Sequence, residues 1–230
     1  MNELHPRRRS QVVRQSLSVG LATGAYGVSF GALAVASGLS LWQTVALSTL
    51  LFSGGSQFAI VGIVAAGGSG VAAVATSSML GLRNSLYALQ VSRMLDVRGL
   101  RRVAAAQLTI DESTAVAVGQ PERQASRLGF WVTGVTIFVL WNLATLAGAL
   151  VGDALGDPRA YGLDAAASAA FLALLWPRLR SREAQAVGVA AAVLALLLAP
   201  HSPAGVPVLV AAVTAVVAGV RPRREREVPA

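Results

Sequence analysis

Small and polar side chains interrupt the longest apolar part of the chain. From Gln15 to Leu82 the sequence contains no Asp, Glu, Lys or Arg. Near the middle of this run stand five residues that could contact a ligand: Ser53, Gly54, Gly55, Ser56 and Gln57. Hydrocarbon offers no hydrogen-bond partners, so a helix break at this depth must face protein or a water-filled cavity. A helix restarting after Gly55 would present free N–H groups and a positive dipole end, which favour a carboxylate.

The alternative is that Gly54 and Gly55 only allow helices to pack closely, with the neighbouring hydroxyls bonded to their own helix.

Two further polar residues, Arg83 and Asn84, lie within the next apolar segment, 71–92. Arg83 precedes Arg93 by about ten residues, which corresponds to roughly 15 Å along a regular helix. A charge at such depth usually faces the bundle interior and is functional, although its side chain could also extend to the membrane interface. Together with 53–57, these residues are the candidate substrate-binding residues.

Two adjacent carboxylates, Asp111 and Glu112, occur in the moderately apolar segment 103–119. They could face an ammonium group or carry a coupling proton, so they are the candidate coupling residues. The alternative is a solvated loop or a helix cap.

Composition indicates an integral membrane protein. Hydrophobic residues make up 54% of the chain and charged residues 13%, whereas soluble domains are about 25% charged. The sequence pI is near 11.4, but the basic residues, all Arg, border apolar runs, so we expect a lipid bilayer and not nucleic acid as the surroundings. The chain has no Cys, which excludes disulfides and thiolate chemistry. We expect no enzyme, metal or cofactor.

The apolar runs predict an all-α polytopic membrane protein with about six transmembrane helices plus a broken or re-entrant helix. The segments are 16–36, the broken segment 43–66, 71–92, 128–152, 165–177 and a hairpin over 184–220 that is divided at 200–203. One face of the first helix carries four glycines, which predict close packing against another helix: Gly20, Gly24, Gly27 and Gly31.

The distribution of Arg predicts the orientation in the plasma (cytoplasmic) membrane. If 43–66 re-enters and 103–119 does not cross, both termini are cytoplasmic, and every Arg except Arg83 and Arg159 lies on the cytoplasmic side. If both segments cross instead, the basic linker 93–102 moves outside, against this bias. The first arrangement is favoured, and the second stays open.

Three segments, in this order, resemble the AzlC family, the large subunit of two-component exporters of branched-chain amino acids: 52–58, 82–87 and 108–113. The resemblance covers about 14–155. It divides the chain into a basic cytoplasmic N-terminus (1–15), an AzlC-like core (16–155), C-terminal transmembrane helices (156–220) and a basic cytoplasmic tail (221–230). It implies export of Leu, Ile, Val or related small amino acids, an ion or proton gradient, and a small AzlD-type membrane subunit as partner. Asn84 stands where the family often has His, so no proton relay is expected there.

Two other classes of function are compatible with parts of the sequence. The segment 67–70 has the GxSG pattern of an intramembrane serine protease, with Ser69 as nucleophile and His201 as base. A channel or a structural membrane protein would also tolerate polar residues at membrane depth.

Overall fold

Helices account for the regular structure of the residues that the computed structural model describes, which are 4–155, 172, 175–176 and 179–220. In chain order they are α1 (Pro6–Ala25), α2 (Gly27–Ala36), α3 (Leu41–Leu50), α4 (Gly54–Ala65), α5 (Gly70–Leu95), α6 (Leu100–Gln107), α7 (Asp111–Val118), α8 (Arg123–Leu155), α9 (Arg182–Leu198) and α10 (Val206–Val220). A short 3-10 helix, Ala199–His201, joins α9 to α10. The prediction of an all-helical chain is confirmed for these residues.

Three helical stretches of the described part are long and apolar enough to cross a membrane: Pro6–Ala36, Arg123–Gly152 and Arg182–His201. Two shorter apolar helices, Gly54–Ala65 and Val206–Gly219, accompany them. Length and apolarity alone therefore do not establish the predicted count of about six. The helix predicted at 165–177 falls mostly outside the described residues, as does the tail from 221.

The glycine face of α1 and α2 packs against α8, which confirms the predicted close packing and places it within the chain. The four glycines meet α8 at successively later positions: Gly20 meets Thr136, Gly24 meets Leu140, Gly27 meets Ala144 and Gly31 meets Thr145. The α1–α2 rod and α8 therefore run parallel. We call the end where α1 and α8 begin the proximal end, and the end where α2 and α8 finish the distal end.

Helix α5 runs in the opposite direction and finishes at the proximal end. Arg123 and Arg127, at the start of α8, each donate from Nε to the carbonyl oxygen of Met94 at 3.1 Å. Their guanidinium groups also lie 3.6 and 3.9 Å from the carboxylate of Asp96, which ends α5 in the left-handed conformation. These cations occupy the negative end of the α5 dipole.

The α3–α4 segment enters and leaves at the distal end. Helix α3 follows the distal end of α2, and its Ser48 hydroxyl donates to Thr145 of α8 at 3.2 Å. Phe52 then packs on Phe138, seven residues earlier on α8, so α3 descends toward the middle of the bundle. Helix α4 returns to the distal end, because α5 begins there. At 10 and 12 residues, each half-helix is roughly 15–18 Å long, about half of the hydrocarbon thickness.

The α6–α7 segment likewise enters and leaves the bundle, but at the proximal end. Helix α6 starts just after α5 ends, and its last residue, Gln107, reaches the carbonyl of Thr49 beside the α3–α4 break. Helix α7 returns, and Gln120 beyond it accepts a hydrogen bond from Arg8 at 2.8 Å and donates to Gln15 at 3.1 Å. The segment 103–119 is thus a pair of half-helices whose tip meets the tip of α3–α4.

Adding a methyl group at Gly31 should separate α2 from α8. A Cβ there would overlap the carbonyl oxygen of Thr145 and lie 2.7 Å from the backbone nitrogen of Ala149. We expect Gly31→Ala to lower the free energy of unfolding by about 1–3 kcal/mol, despite the higher helix propensity of Ala. Gly62→Ala is the control, because nothing lies within 4 Å of its Cβ. Thermal unfolding in detergent measures both, and equal stability of the two variants would contradict the close packing.

Candidate functional site

The break between α3 and α4 lies at Leu51, Phe52 and Ser53. Phe52 has a φ of 21°, which side-chain-bearing residues rarely adopt. Helix α4 begins at Gly54, not after Gly55 as the sequence predicted, so the glycine pair forms its first turn. The first hydrogen bond of α4 runs from the Gln57 N–H to the Ser53 carbonyl at 2.9 Å, and the Ser53 hydroxyl does not cap the helix. The N–H groups of Gly54 and Gly55 consequently have no acceptor among the described residues.

Two glutamine side chains hold the carbonyl end of α3. The amide nitrogen of Gln57 donates to Leu47 at 3.1 Å and to Ser48 at 3.3 Å. The amide nitrogen of Gln107 donates to Thr49 at 2.7 Å and to Leu50 at 3.4 Å. The last four carbonyl groups of α3, which a helix leaves unpaired, therefore all have donors. Gln107 also joins the tip of one hairpin to the tip of the other.

A second break, at residues 108–110, separates α6 from α7. The Ser113 hydroxyl accepts the Ile110 N–H at 3.1 Å and donates to the Leu108 carbonyl at 2.6 Å, so it stabilises the irregular backbone. Asp111 and Glu112 are the first two residues of α7, where carboxylates interact favourably with the helix dipole. Their place in the first turn is close to the helix-cap alternative, although the N-cap residue itself is Ile110, and it does not exclude a second role.

A cavity of ≈ 260 Å³ lies where the two tips meet. Its polar lining comes from the beginning of α4, the middle of α5 and the beginning of α7, and comprises Ser53, Gly54, Gly55, Arg83, Asn84, Asp111 and Glu112. Its remaining lining is apolar or aromatic apart from one threonine, and comprises Thr23, Tyr26, Phe52, Phe58, Ile110, Ile137 and Trp141. Two half-helix N-termini therefore border one small cavity at the middle of the bundle.

An ion pair crosses this cavity from α5 to α7. Nη1 of Arg83 lies 3.1 Å from Oδ2 of Asp111, and the two side chains are 25% and 17% exposed. The guanidinium group also lies against the start of α4, since a Cβ on Gly55 would be 2.9 Å from Nη2 of Arg83. The Arg83 side chain therefore points into the bundle and pairs there, in place of extending to the membrane interface.

Three buried polar atoms of cavity-lining residues have no hydrogen-bond partner in the described structure: Nε of Arg83, Oδ1 of Asn84 and Nε1 of Trp141. Buried polar groups in proteins are nearly always hydrogen-bonded. Two of these atoms are donors and one is an acceptor, so the lining has unused capacity for a ligand that carries both kinds of group.

Aromatic side chains form the apolar wall. Trp141 stacks on Phe30 with ring centroids 6.0 Å apart and meets Phe58 edge to face at 6.3 Å. Its ring would lie 3.4 Å from a Cβ on Gly54, so the absence of a side chain there lets the indole cover the start of α4. Such rings provide a rigid apolar surface of fixed shape.

Two of the predicted site residues lie outside the cavity lining. The Ser56 hydroxyl donates to the Ser77 carbonyl of α5 at 3.0 Å, and the Gln57 side chain is fully buried against α3. Sequence reasoning did not identify the wall residues Ile137 and Trp141, because they lie on α8, far from the break in sequence. Trp141 offered only a weak signal, because the same span also carries Trp131 and Phe138.

The protease alternative receives no support from the geometry. The Ser69 hydroxyl caps α5 by accepting the Ala72 N–H at 3.2 Å, and Nδ1 of His201 lies 3.2 Å from the Leu197 carbonyl. No hydrogen bond joins Ser69 to His201 among the described residues, and both side chains are exposed. The described residues also contain no group of three or more His, Cys, Asp or Glu that could hold a metal ion.

Comparison with known proteins covers the same region. The family described as "AzlC protein" matches residues 18–155, which include every residue of the cavity lining. An "Uncharacterized membrane protein" of Archaeoglobus fulgidus is 32% identical over 160 residues, covering 69% of this chain and 70% of that protein. No solved structure matches the chain.

The Gln57 side chain should stabilise the α3 end. Gln57→Leu removes the donor to the Ser48 carbonyl, and an unsatisfied buried carbonyl costs about 1–3 kcal/mol. We expect a lower free energy of unfolding for Gln57→Leu and no loss for Gln90→Leu, because Gln90 is exposed on α5. Unfolding in mixed micelles measures the free energy of unfolding of both variants. Weaker substrate binding with unchanged stability would instead support the sequence-based prediction that Gln57 contacts the ligand.

Proposed function

The chain belongs to the AzlC family, and on this premise we propose that it is the large subunit of an exporter of branched-chain amino acids or related small amino acids. The observation that carries the proposal is the cavity in which a cation, two carboxylates, free helix N–H groups and an aromatic wall converge. A zwitterionic amino acid needs these groups: donors for its carboxylate, acceptors for its ammonium group and an apolar surface for its side chain.

The substrate carboxylate binds between Arg83 and the start of α4. The guanidinium group presents a planar fork of donors that suits a carboxylate, and it already lies against Gly55. The N–H groups of Gly54 and Gly55 add two donors at the positive end of the α4 dipole. A broken helix whose N-terminus faces an anionic substrate group is a recurring arrangement in transporters.

The substrate ammonium group binds toward α7. When the substrate carboxylate takes the place of Asp111 on Arg83, the Asp111 carboxylate faces the ammonium group. One zwitterion then enters the ion pair without adding net charge to a poorly hydrated site, where an uncompensated charge would be costly. Asn84 supplies a further acceptor through Oδ1.

The substrate side chain packs against Phe58, Ile137 and Trp141. A cavity of ≈ 260 Å³ is smaller than the roughly 300–1,000 Å³ that drug-sized ligands occupy, and it suits one small amino acid. Apolar walls discriminate weakly between side chains that differ by one methylene group, so related aliphatic amino acids should share the site.

In the membrane, the proximal end faces the cytoplasm. The basic residues of the N-terminus, of the 93–102 linker and of the start of α8 gather at that end, which agrees with the positive-inside bias. This orientation makes α3–α4 re-enter from outside and α6–α7 re-enter from the cytoplasm, and it corresponds to the first arrangement derived from the sequence. Both termini are then cytoplasmic.

Two finer parts of the proposal rest on the family resemblance together with the position of the acids. Asp111 or Glu112 changes protonation during the cycle and couples export to a proton or ion gradient. A small AzlD-type membrane subunit completes the exporter, so transport assays require both proteins.

Substrate binding should depend on Arg83 and on the space beside Gly55. Arg83→Gln removes charge-assisted bonds worth about 1.5–3 kcal/mol, which corresponds to roughly 10–150-fold weaker binding of leucine. Gly55→Ala pushes Nη2 of Arg83 aside and should weaken binding by a smaller factor, while Gly62→Ala on the same helix should not. Binding of labelled leucine to the purified two-subunit complex measures all three. Unchanged affinity of both site variants would contradict the assignment.

The two carboxylates should separate coupling from binding. Asp111→Asn and Glu112→Gln keep the shape of each side chain and prevent a change of protonation. If Glu112 is the coupling residue, Glu112→Gln should lose export driven by a pH gradient yet keep exchange of labelled leucine across vesicle membranes. If it is Asp111, Asp111→Asn should lose driven export and also bind leucine more weakly, because Asp111 receives the ammonium group as well. If both variants export normally under a pH gradient, the acids only stabilise the beginning of α7 and pair with Arg83.

A further inference from the structure

Two serine hydroxyls connect the cavity lining to the backbone of α5. The Ser53 hydroxyl lies 3.3 Å from the Ser56 hydroxyl, which in turn lies 3.0 Å from the carbonyl oxygen of Ser77. All three residues are buried, and of the three only Ser53 lines the cavity. We call the hydroxyls of Ser53 and Ser56 and the carbonyl of Ser77 the serine relay.

The direction of both hydrogen bonds in the serine relay follows from the carbonyl at its end. A carbonyl oxygen only accepts, so the Ser56 hydroxyl must donate its single proton to Ser77. The Ser56 oxygen then accepts from Ser53, which commits the Ser53 proton to that bond. The Ser53 oxygen keeps acceptor capacity, because a hydroxyl oxygen has two lone pairs. Toward a ligand, Ser53 is therefore an acceptor and not a donor.

The position of Ser53 suits the ammonium group of an α-amino acid. In such a ligand the carboxylate and the ammonium group are bonded to the same carbon atom, so an acceptor for one must lie near the donors for the other. Ser53 directly precedes Gly54 and Gly55, whose N–H groups bind the carboxylate in the proposed function.

The opposite edge of the cavity is within reach of the same ligand. Nη1 of Arg83 lies 3.1 Å from Oδ2 of Asp111, and Nη2 would lie 2.9 Å from a Cβ on Gly55. One guanidinium group thus spans the distance between the start of α4 and the start of α7. A single small amino acid can contact both edges.

A primary ammonium group has three N–H donors. In the proposed site the Asp111 carboxylate and Oδ1 of Asn84 accept from two of them, and the Ser53 oxygen provides an acceptor for the third. An N-methylated amino acid has one N–H fewer, so it leaves one of these acceptors without a donor. A site built around the N–H groups of its substrate discriminates strongly against analogues that lack one.

We propose that Ser53 is a specificity-determining residue that accepts a hydrogen bond from the substrate ammonium group, and that the serine relay fixes it in this role. The site thereby selects α-amino acids with a primary ammonium group over N-methylated analogues. This inference rests on the proposed function, and it adds a contact and a substrate preference that export of small amino acids does not by itself require.

Ser53→Ala removes this contact without disturbing the hydrogen bonds of the fold. The Ser53 hydroxyl does not cap α4, and Ser56 keeps its bond to the Ser77 carbonyl in the variant. Ser56→Ala tests the relay, because the Ser53 proton then loses its acceptor and the hydroxyl can turn to donate. Ser16→Ala is the matched control: Ser16 is also fully buried, and its hydroxyl donates to the Gly129 carbonyl of another helix.

Competition against labelled leucine on the purified two-subunit complex measures the affinities of leucine and N-methylleucine. We expect the wild type and Ser16→Ala to bind leucine roughly tenfold or more tightly than N-methylleucine. In Ser53→Ala, the affinity for leucine should fall by a similar factor while that for N-methylleucine stays unchanged, so the preference disappears. Ser56→Ala should reduce the preference by a smaller factor.

A merely structural role of Ser53 would weaken both ligands equally, and that result would overturn the proposal. Unchanged leucine affinity in Ser53→Ala, or equal affinity of the wild type for the two ligands, would overturn it as well. An unchanged preference in Ser56→Ala would refute the relay. A wild-type complex that does not bind leucine would instead refute the proposed function, and this inference with it.

Discussion

The need to satisfy every backbone polar group away from water governs this structure. Two helices are interrupted at the middle of the bundle, and each interruption frees carbonyl and N–H groups that hydrocarbon cannot bind. Gln57 and Gln107 bind the freed carbonyls of α3, and Ser113 binds that of Leu108. The breaks are stable because these three side chains donate hydrogen bonds to the freed carbonyl groups. Some of the freed N–H groups remain available to a ligand.

The same constraint explains why charges can lie at this depth. Arg83 approaches from the long helix α5 and lies against the start of α4, whereas Asp111 is the first residue of the half-helix α7. A lone cation or carboxylate would be unfavourable there, whereas the pair, with the helix dipoles, forms a preorganised polar site within apolar walls. Removing either partner exposes the other to an environment that cannot solvate it.

Local sequence signals identified the polar half of the site but not its walls. The composition at 53–55, one serine and two glycines within an apolar run, indicates the first break. Arg83 is recognisable as a charge within an apolar segment. The second break, at 108–110, has neither Gly nor Pro, and it follows from tertiary contacts such as Ser113 with Leu108. The sequence predicts that Gln57 contacts the ligand, because a sequence gives the position of a residue along the helix but not the direction in which its side chain points.

The order of elements gives the described fold an internal symmetry. A long helix followed by a broken hairpin (α1–α4) is succeeded by another long helix and broken hairpin (α5–α7), and the second set is upside down relative to the first. Such a pair is an inverted repeat, related by a pseudo-twofold axis in the membrane plane. In transporters that are built from inverted repeats, movement of one half against the other transfers access to a central site from one side of the membrane to the other.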